Sequence, residues 1–303
     1  MTGALDVVVV SYRCRELLRS CLTSIADYAP AGTTTWVVDN ASRDGTVELV
    51  RERFPTVRLL VNDRNHGFAA ATNAGICEGS APYVLALNPD VELRPGTLDV
   101  LLDLMRERPE VGIAGCRLER PDGSFDHASR RSFPTPLGAL GHLSGVGRRA
   151  RGGPFAQYRA PNVERGRVDA VNGAFMLLRR EALEGVGLFD EGYWMYMEDL
   201  DLCFRFAEAG WTTWYEPGVT AVHVKHGTSG EARSVTLTVA FYRGMARFVV
   251  AHPSVVPSGA KRALVLAGIA GIGAAATVRA AARSALAAAR RPHRMRQPEL
   301  RKV

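Results

Sequence analysis

Short apolar runs alternate with stretches of helical periodicity along the first half of the chain. The run at 6–12 contains four successive valines, as expected of a strand buried on both faces of a sheet. Apolar residues at three- and four-residue spacing over 16–28 predict a helix. By the same criteria, strands are predicted at 34–38, 57–61, 83–87 and 111–115, and helices at 47–54, 68–77 and 97–108. Alternation of this kind predicts an α/β fold with a mostly parallel sheet flanked by helices.

The second half of the chain carries a weaker pattern. Residues 117–125 predict a hairpin around Asp122-Gly123, whereas 127–166 are rich in Gly, Pro and Arg and show little periodicity. Further strands are predicted at 168–171, 174–178, 211–215 and 219–223, and helices at 180–184, 235–251 and 262–289. We therefore divide the chain into an α/β domain at 1–235 and a C-terminal helical extension with a basic tail at 236–303.

Polar clusters follow three of the predicted strands directly. In α/β sheets, ligands bind beyond the carboxyl ends of the strands. Three clusters in that one topological position indicate a binding site more strongly than three unrelated loops would. Asp39 and Asn40 could hydrogen-bond a base or a ribose there. The clusters are Ser11-Tyr12, Asp39-Asn40 and Asn88-Pro89-Asp90.

Three carboxylates, Glu198, Asp199 and Asp201, fall within four residues. They stand between an aromatic stretch and an apolar helical pattern, which places them in the first turn of a helix. Helix capping would explain one of them, because acidic groups are stabilised at this end. Three indicate that at least one is a general base or a metal ligand. Trp194 and Tyr196, just ahead of them, could form an apolar platform for a sugar ring or pack in the core.

A divalent cation is the cofactor that these side chains would suit. Mg²⁺ and Mn²⁺ take one or two protein ligands together with phosphate oxygens, and they neutralise the charge that develops on a diphosphate leaving group. Asp90 and His223 could supply the protein ligands, with His226 as the alternative to His223. The segment Asn65-His66-Gly67-Phe68 precedes a helix, so that its amides could face a phosphate.

Taken in order, the motifs within residues 5–250 resemble those of family-2 inverting glycosyltransferases. Among these they are similar to the bacterial rhamnosyltransferases of cell-wall and polysaccharide assembly. The resemblance implies a GT-A fold, a nucleotide-sugar donor, a divalent metal, and Asp199 as the catalytic base. It is carried by Val-Val-Asp-Asn-Ala-Ser-x-Asp-Gly, Asn-x-Gly-Phe-Ala-Ala-Ala-x-Asn, Leu-Asn-Pro-Asp, Gly-Ala-Phe-Met and Glu-Asp-x-Asp-Leu-Cys, with the segment around His223.

The resemblance also implies further contacts. The Asp-x-Asp of the family reads Asn88-Pro89-Asp90 here, so that Asp90 carries the metal contact. Expected donor contacts are Ser11, Tyr12, Asp39, Asn40, Asn65, Gly67, Phe68, Asn73, Asn88 and Asp90. Expected acceptor contacts are Gly173, Trp194 and Tyr196. Glu198 and Asp201 follow Asp199 as second choices for catalytic contacts, and Asp90 and His223 are the expected metal ligands.

These features predict a metal-dependent inverting glycosyltransferase that moves L-rhamnose from dTDP-L-rhamnose to a lipid-linked or polysaccharide acceptor. Three alternatives stay open: a hexose or N-acetylhexosamine transferase with a UDP- or GDP-sugar donor, a non-catalytic sugar-nucleotide-binding protein, and a metal-dependent nucleotidyltransferase. The intact carboxylate cluster argues against the second. The first predicted strand is not followed by a Gly- and Lys-rich loop, which argues against the third.

Charge is concentrated at one end of the chain. From Arg279 to the C-terminus there are eight Lys and Arg residues and one acid, Glu299. Removing these from the totals of 38 basic and 31 acidic residues leaves 30 of each sign, so that the rest of the chain is neutral. A neutral body disfavours a nucleic-acid binder. A basic tail after the uncharged helical stretch 263–278 favours an anionic membrane surface.

The cysteines and the N-terminus indicate the compartment. Five scattered cysteines without a CxxC pair are typical of a reducing compartment. Asp6 interrupts the first apolar run, which disfavours a signal peptide. We expect a cytoplasmic protein that lies peripherally on the inner face of the cell membrane, close to a polyprenyl-linked acceptor. The oligomeric state is left open, with a homodimer as one alternative.

Overall fold

A computed structural model of the chain describes residues 4–133, 164–224 and 234–289. Its strands are β1 (Leu5–Ser11), β2 (Thr34–Asp39), β3 (Arg58–Val61), β4 (Tyr83–Leu87), β5 (Val91–Leu93), β6 (Val111–Glu119), β7 (Arg130–Arg131), β8 (Gly166–Val168), β9 (Ala170–Val171), β10 (Phe175–Arg179) and β11 (Thr212–His223). Its helices are α1 (Arg15–Tyr28), α2 (Thr46–Arg53), α3 (Phe68–Glu78), α4 (Thr97–Glu107), α5 (Arg180–Val186), α6 (Glu198–Glu208), α7 (Val235–Ala251) and α8 (Gly259–Ala289). The predicted α/β architecture with a C-terminal helix is confirmed.

The central sheet is mixed, in the order β3-β2-β1-β4-β10-β6-β11-β5, with β8 paired to β11. Strands β3, β2, β1 and β4 are parallel to one another. Strand β10 is antiparallel to both of its neighbours, β4 and β6, and β11 is parallel to β6. The beginning of β10 therefore lies at the same edge of the sheet as the carboxyl ends of β1, β2, β4, β6 and β11. We call this the strand-end edge.

The valines of β1 show why an uninterrupted apolar run forms a central strand. Val7 and Val9 pack with α1 and α4 on one face of the sheet, and Val8 and Val10 pack with α3 and α6 on the other. All four are buried. Because successive side chains point to opposite faces, a strand covered by helices on both sides has no position from which a polar side chain would reach water.

Strand β11 joins two segments that the sequence predicts as separate strands, 211–215 and 219–223. Its pairing with β6 is irregular between Glu216 and Thr220. Both halves pair with the same neighbour, so that the irregularity is a bulge within one strand. Strand β5 is absent from the sequence prediction, because three residues are too few to show a period. It sets Val91 opposite His223.

Helix α7 is integrated into the main core. Its Phe248 is buried and packs in the same apolar cluster as α3 and α6. Arg247 forms an ion pair with Asp190 at 2.7 Å, and His252, just after the helix, approaches Asp201 at 2.7 Å. The predicted boundary between 235 and 236 stays a prediction, and these contacts favour a boundary after α7.

Helix α8 packs against α7 through a small apolar cluster that contains Val249, Val256 and Ile269. Its opposite side leaves Leu264 and Val278 exposed, at 75% and 69%. The segment Gly259–Leu286 is long and apolar enough to cross a membrane by length and composition, with a mean hydropathy of 1.7. Only 17% of its most apolar window is buried, so that it is not a core helix of the α/β domain.

Candidate active site

The loops after β1 and β2 lie side by side at the strand-end edge. Ser11 is paired with Asp39 in the sheet, and the N–H of Asn40 donates to the carbonyl of Ser11 at 2.8 Å. The carboxylate of Asp39 accepts hydrogen bonds from the N–H of Ser42, at 3.0 Å, and from its hydroxyl. Ser11 and Asp39 are buried, whereas Tyr12 is 38% exposed. Of these three predicted donor contacts, Tyr12 is the one whose side chain is open to a ligand.

Asn40 and Asn73 hold the framework of the donor side. The Asn40 amide donates to the carbonyl of Gly67 at 3.0 Å, and its oxygen accepts from the side chain of Asn62 at 2.8 Å. The side-chain N–H of Asn73 donates to the carbonyl of Phe189 at 2.8 Å, and the side-chain oxygen of Asn73 accepts the N–H of Phe189 at 3.1 Å. These side chains thus fix the loops around the site, and their direct contacts with a donor stay predictions.

The segment ahead of α3 is docked onto the aromatic stretch. The N–H of Gly67 donates to the side chain of Asn65 at 2.9 Å, and the N–H of Phe68 donates to the carbonyl of Trp194 at 2.9 Å. Both N–H groups thus have acceptors within the protein, and their contact with a phosphate stays a prediction. Gly67 has a φ of +90°, and a Cβ there would lie 2.2 Å from the Trp194 carbonyl oxygen. The close approach therefore requires glycine.

Trp194 and Tyr196 are both half-buried. The indole N–H of Trp194 faces the carbonyl of Asn65 at 3.5 Å, the long limit of a hydrogen bond. The ring of Tyr196 stands edge-on to Phe241 of α7 with 6.0 Å between centroids. Tyr196 and Met197 adopt left-handed backbone conformations, with φ values of 72° and 75°, which persist only where the surroundings impose them. The stretch is therefore held in place and leaves part of both aromatic residues exposed.

Asp199 lies in the first turn of α6 and is buried. Its Oδ2 accepts hydrogen bonds from the N–H of Gly173, at 2.8 Å, and from the guanidinium of Arg131. Its Oδ1 accepts from the N–H of Leu200 at 2.7 Å. A Cβ at position 173 would come within 3.0 Å of the Asp199 side chain. The absence of a side chain at Gly173 thus lets the carboxylate reach the beginning of β10.

A backbone hydrogen bond connects the surroundings of Asp199 with the predicted metal-binding turn. The N–H of Asn88 donates to the carbonyl of Ala174 at 2.9 Å. Ala174 follows Gly173, whose N–H binds Asp199, and Asp90 stands two residues after Asn88. The predicted base and the predicted metal-binding turn are therefore held in one region of the strand-end edge.

Glu198, next to Asp199, is 6% exposed, and its Oε2 has no hydrogen-bond partner within the part of the chain that the structure describes. Burial raises the pKa of Glu198 to about 8, and the nearby charge of Asp199 adds to the rise. The raised pKa favours the protonated form of Glu198. The two neighbouring carboxyl groups thus differ in environment, since Asp199 accepts three hydrogen bonds from the chain.

We expect Glu198 to make the protein less stable as the pH rises. In the unfolded chain its pKa returns to 4.5, whereas in the folded protein it is about 8. Between these values the folded state keeps a proton that the unfolded state releases, so that the free energy of unfolding falls across this window and levels off above it. Glu198→Gln removes the effect and should be more stable than the wild type near pH 9, by on the order of a few kcal/mol.

Urea unfolding at pH 5 and pH 9 measures this difference. Glu107→Gln is the matched control, because Glu107 is exposed at the end of α4. We expect its unfolding free energy to follow that of the wild type at both pH values. A Glu198→Gln variant with the same pH dependence as the wild type would contradict the prediction.

Asp201 points into the protein. Its carboxylate accepts hydrogen bonds from Arg205 at 2.8 Å, from Tyr193 at 3.2 Å, and from His252 at 2.7 Å. Burial alone would raise the pKa of Asp201, but the hydrogen bonds from His252 and Arg205 outweigh burial and lower it. The geometry therefore gives Asp201 a structural role between α6 and the end of α7. Its catalytic or metal contact stays a prediction.

Asp90 and His223 come together because β5 pairs with the end of β11. His223 Nε2 lies 3.7 Å from Asp90 Oδ1, and both side chains are buried. Two ligands of one cation, each about 2.1 Å from it, stand about 3–4 Å apart. The separation of these two atoms therefore fits a shared divalent cation. The other ring nitrogen of His223, Nδ1, lies 3.0 Å from Asp126 Oδ2.

Among the residues that the structure describes, Asp90 and His223 would be the two ligands of a cation at this position, and phosphate oxygens of a substrate would add to them. In residues 4–133, 164–224 and 234–289, no group of three His, Cys, Asp or Glu side chains is arranged to hold a metal. Mg²⁺ is commonly bound in this way, by one or two protein ligands and the phosphates of a substrate. His226, the alternative to His223, lies outside the described residues.

Arg131 and Asp126 are two side chains of this region that the sequence prediction lacks. Arg131 is 68 residues away from Asp199, and no local pattern marks it as a partner. Asp126 did carry a signal, because it directly follows the hairpin that extends from β6. An acidic residue in that place belongs at the strand-end edge, as Asp39 and Asp90 do.

Comparison with known sequences agrees with the expected family. The family described as "Glycosyl transferase family 2" matches residues 6–187. The N-acetylglucosaminyl-diphospho-decaprenol L-rhamnosyltransferase of Mycobacterium tuberculosis is 35% identical over 250 residues, which cover 76% of this chain and 79% of that protein.

Two solved structures show the same fold. GalNAc-T7 with UDP, GalNAc and Mn²⁺ has a TM-score of 0.61 at 14% identity, over 82% of this chain and 48% of that chain; this chain thus spans about half of it. A mannosyltransferase from Pyrobaculum calidifontis in complex with GDP-Man and Mn²⁺ has a TM-score of 0.57 at 19% identity, over 95% and 80% of the two chains. The predicted GT-A fold is confirmed, and the family match together with the mycobacterial relative shows that this chain is a glycosyltransferase that belongs to glycosyl transferase family 2.

Proposed function

We propose that the protein is a metal-dependent inverting transferase that moves L-rhamnose from dTDP-L-rhamnose to a lipid-linked or polysaccharide acceptor. The name of the mycobacterial relative describes transfer of L-rhamnose to a sugar on a diphospho-lipid, which supports this sugar and this class of acceptor. The observation that carries the proposal is the placement of Asp199 and the Asp90–His223 pair around the hydrogen bond between Asn88 and Ala174. That placement suits a base and a cation that act on the same bond.

In this proposal Asp199 is the base, and its Oδ1 takes the proton. Oδ2 already accepts two hydrogen bonds, from Arg131 and Gly173, whereas Oδ1 accepts one, from Leu200. An ionised carboxylate has about four acceptor positions, so that Oδ1 has more capacity left. It accepts the proton of the acceptor hydroxyl while that oxygen bonds to the anomeric carbon and the bond from this carbon to the donor phosphate breaks. Attack opposite the leaving group inverts the anomeric centre.

Asp90 and His223 would hold the divalent cation, Mg²⁺ or Mn²⁺. Such a cation neutralises the charge that develops on the leaving diphosphate. The structures of the two relatives contain Mn²⁺ together with UDP or with GDP-Man, which supports a cation and a nucleotide-sugar donor on this fold. Trp194 and Tyr196 would then offer their exposed parts to the sugar of the acceptor.

Assays with defined donors and a short-chain lipid-diphosphate N-acetylglucosamine acceptor test the proposal. We expect turnover with dTDP-L-rhamnose, release of dTDP, and inverted configuration in the product. UDP- and GDP-linked hexoses or N-acetylhexosamines should react at least about tenfold more slowly, because a site that hydrogen-bonds one sugar leaves polar groups unpaired with another. Faster turnover of one of these donors than of dTDP-L-rhamnose would show that the enzyme transfers that sugar and not L-rhamnose. Retention of the anomeric configuration in the product would contradict the inverting mechanism.

We extend the proposal to the location of the enzyme, at the cytoplasmic face of the membrane. Leu264 and Val278 on the exposed side of α8 supply apolar surface, and the last 25 residues carry eight basic groups. Apolar burial contributes about 25 cal/mol per Å², and each basic group near an anionic surface about 1 kcal/mol. Although Gly259–Leu286 is long enough to cross a membrane, its uncharged part 263–278 has 16 residues, fewer than the about 20 of a span. Ile269 also packs with Val249 of α7, and both observations favour peripheral binding. The homodimer stays a prediction.

We expect the full chain to co-sediment with phosphatidylglycerol vesicles at low salt and to be released at high salt, because salt screens the charged contribution. A chain ending at Ser258 should stay in the supernatant. Replacing Arg290, Arg291, Arg294 and Arg296 by Gln should weaken binding and remove most of its salt dependence. Phosphatidylcholine vesicles are the control for charge. Equal partitioning of the full and shortened chains would contradict a role for α8 and the tail.

A further inference from the structure

We infer that Asp126 is a positioning residue of the proposed metal site, which it serves by fixing the tautomer of His223. Its carboxylate keeps the hydrogen of the imidazole on Nδ1, so that the lone pair of Nε2 points toward Asp90 and can bind a divalent cation. The inference rests on the proposed function, because it concerns the cation that sugar transfer would use.

The contacts of Asp126 determine which nitrogen carries the hydrogen. Asp126 is fully buried, and its Oδ2 lies 3.0 Å from His223 Nδ1. Its Oδ1 accepts the N–H of Ala128 at 3.1 Å, which orients the carboxylate from its own turn. With this carboxylate oxygen as the acceptor, the contact uses a hydrogen on Nδ1. In a neutral imidazole the other nitrogen then carries a lone pair.

The sheet fixes the distance between the side chains of Asp126 and His223. The N–H of Asp126 donates to the carbonyl of Leu118 at 2.9 Å, and the N–H of Leu118 donates to the hydroxyl of Ser129 at 3.0 Å. Leu118 is in turn paired with Ala221, two residues before His223. One residue of β6 therefore holds both the turn that carries Asp126 and the end of β11 that carries His223.

Asp126 acts through the imidazole and is not itself a ligand. Its carboxylate contacts Nδ1 of His223, whereas Asp90 lies 3.7 Å from Nε2. The two carboxylates therefore face different nitrogens of the same imidazole ring. Metal-binding histidines commonly donate their second N–H to a carboxylate, which fixes the ring and raises its basicity as a ligand. The pattern Asp126–His223–Asp90 is thus that of an oriented histidine ligand with a second ligand beside it.

Binding of Mn²⁺ to the full chain, in the presence of dTDP, tests this role without recourse to activity. Electron paramagnetic resonance of the unbound ion gives the Kd. Asp126→Asn keeps the size of the side chain but offers an N–H as well as an oxygen, so that His223 can place its hydrogen on Nε2. We expect the Kd for Mn²⁺ to rise about 10–100-fold. Asp122→Asn, a matched change at an exposed carboxylate of the same hairpin, should leave the Kd unchanged.

The tautomer itself is measured on the metal-free wild type, which keeps the test valid if Asp126→Asn does not fold. Ring ¹⁵N resonances of His223, identified by their loss in His223→Gln, should show hydrogen on Nδ1 and a lone pair on Nε2. Hydrogen on Nε2 in the wild type would overturn the inference. So would a folded Asp126→Asn protein with wild-type Mn²⁺ affinity. A wild-type protein that binds no Mn²⁺ would instead overturn the metal site of the proposed function, and the role of Asp126 with it.

Discussion

Asp199→Asn should lower the rate of sugar transfer by about 10²–10⁴-fold and leave donor binding nearly unchanged. Asn has the size of Asp, and its oxygen can still accept the N–H of Gly173, which now binds Asp199 at 2.8 Å. It cannot take a proton from the acceptor hydroxyl at any pH at which the protein is folded. The loss should therefore appear in kcat, whereas the affinity for dTDP, measured by calorimetry, should remain.

Two further variants make this result specific. Asp103→Asn is the matched control, because Asp103 is an exposed carboxylate on α4 that pairs with Arg106 at 2.7 Å; its transfer rate should equal that of the wild type. Glu198→Gln tests the neighbouring carboxyl group as the base. Near-normal turnover of Asp199→Asn, combined with a collapse in Glu198→Gln, would move the base to Glu198.

Removal of divalent cations with EDTA should reduce transfer by at least about 100-fold, and added Mn²⁺ or Mg²⁺ should restore it. The cation is expected to contribute several kcal/mol by neutralising charge on the leaving diphosphate, and each 1.4 kcal/mol is about tenfold in rate. Asp90 and His223 would supply the protein ligands, since their facing atoms lie 3.7 Å apart. The measurement is the initial rate of dTDP release before and after chelation.

The ligands are tested by Asp90→Asn and His223→Gln, which should raise the Mn²⁺ concentration needed for half-maximal rate. Asp99→Asn, at an exposed carboxylate of α4, is the control and should follow the wild type. Full activity in a metal-stripped preparation would exclude a metal-dependent mechanism on this site.

The position of the site was predictable from local sequence. Apolar runs followed by Ser11, Asp39 or Asn88 predict a buried strand and its polar end, and parallel strands bring such ends together. The pairing of Ser11 with Asp39 confirms that two of these strand ends lie side by side, and a ligand site there stays a prediction. The helix at Glu198 could likewise be predicted, because its capping carboxylates and its apolar period are contiguous.

The partners of the polar side chains could not be predicted, because the order of strands in the sheet decides them. Asn40, in a strand-end loop, and Asn73, in α3, bind loops of their own chain, although in sequence either asparagine could equally well contact a ligand. Arg131 reaches Asp199 only because the short strand β7 pairs with β9. The reversed strand β10 brings Gly173 to this edge, and no local pattern reports the direction of a strand.

The contacts of α7 determine where this enzyme and a relative could be joined in a chimeric protein. This helix contacts Asp190 through Arg247 and Tyr196 through Phe241, and His252, directly after it, contacts Asp201. Helix α7 must therefore stay together with the carboxylate stretch. Helix α8 packs on α7 and adds little to that core. If α8 and the tail bind the membrane as proposed, replacing everything after Ser258 would change the location of the enzyme and leave its catalytic domain intact. A junction placed before α7 would instead remove the contacts that support the carboxylate stretch.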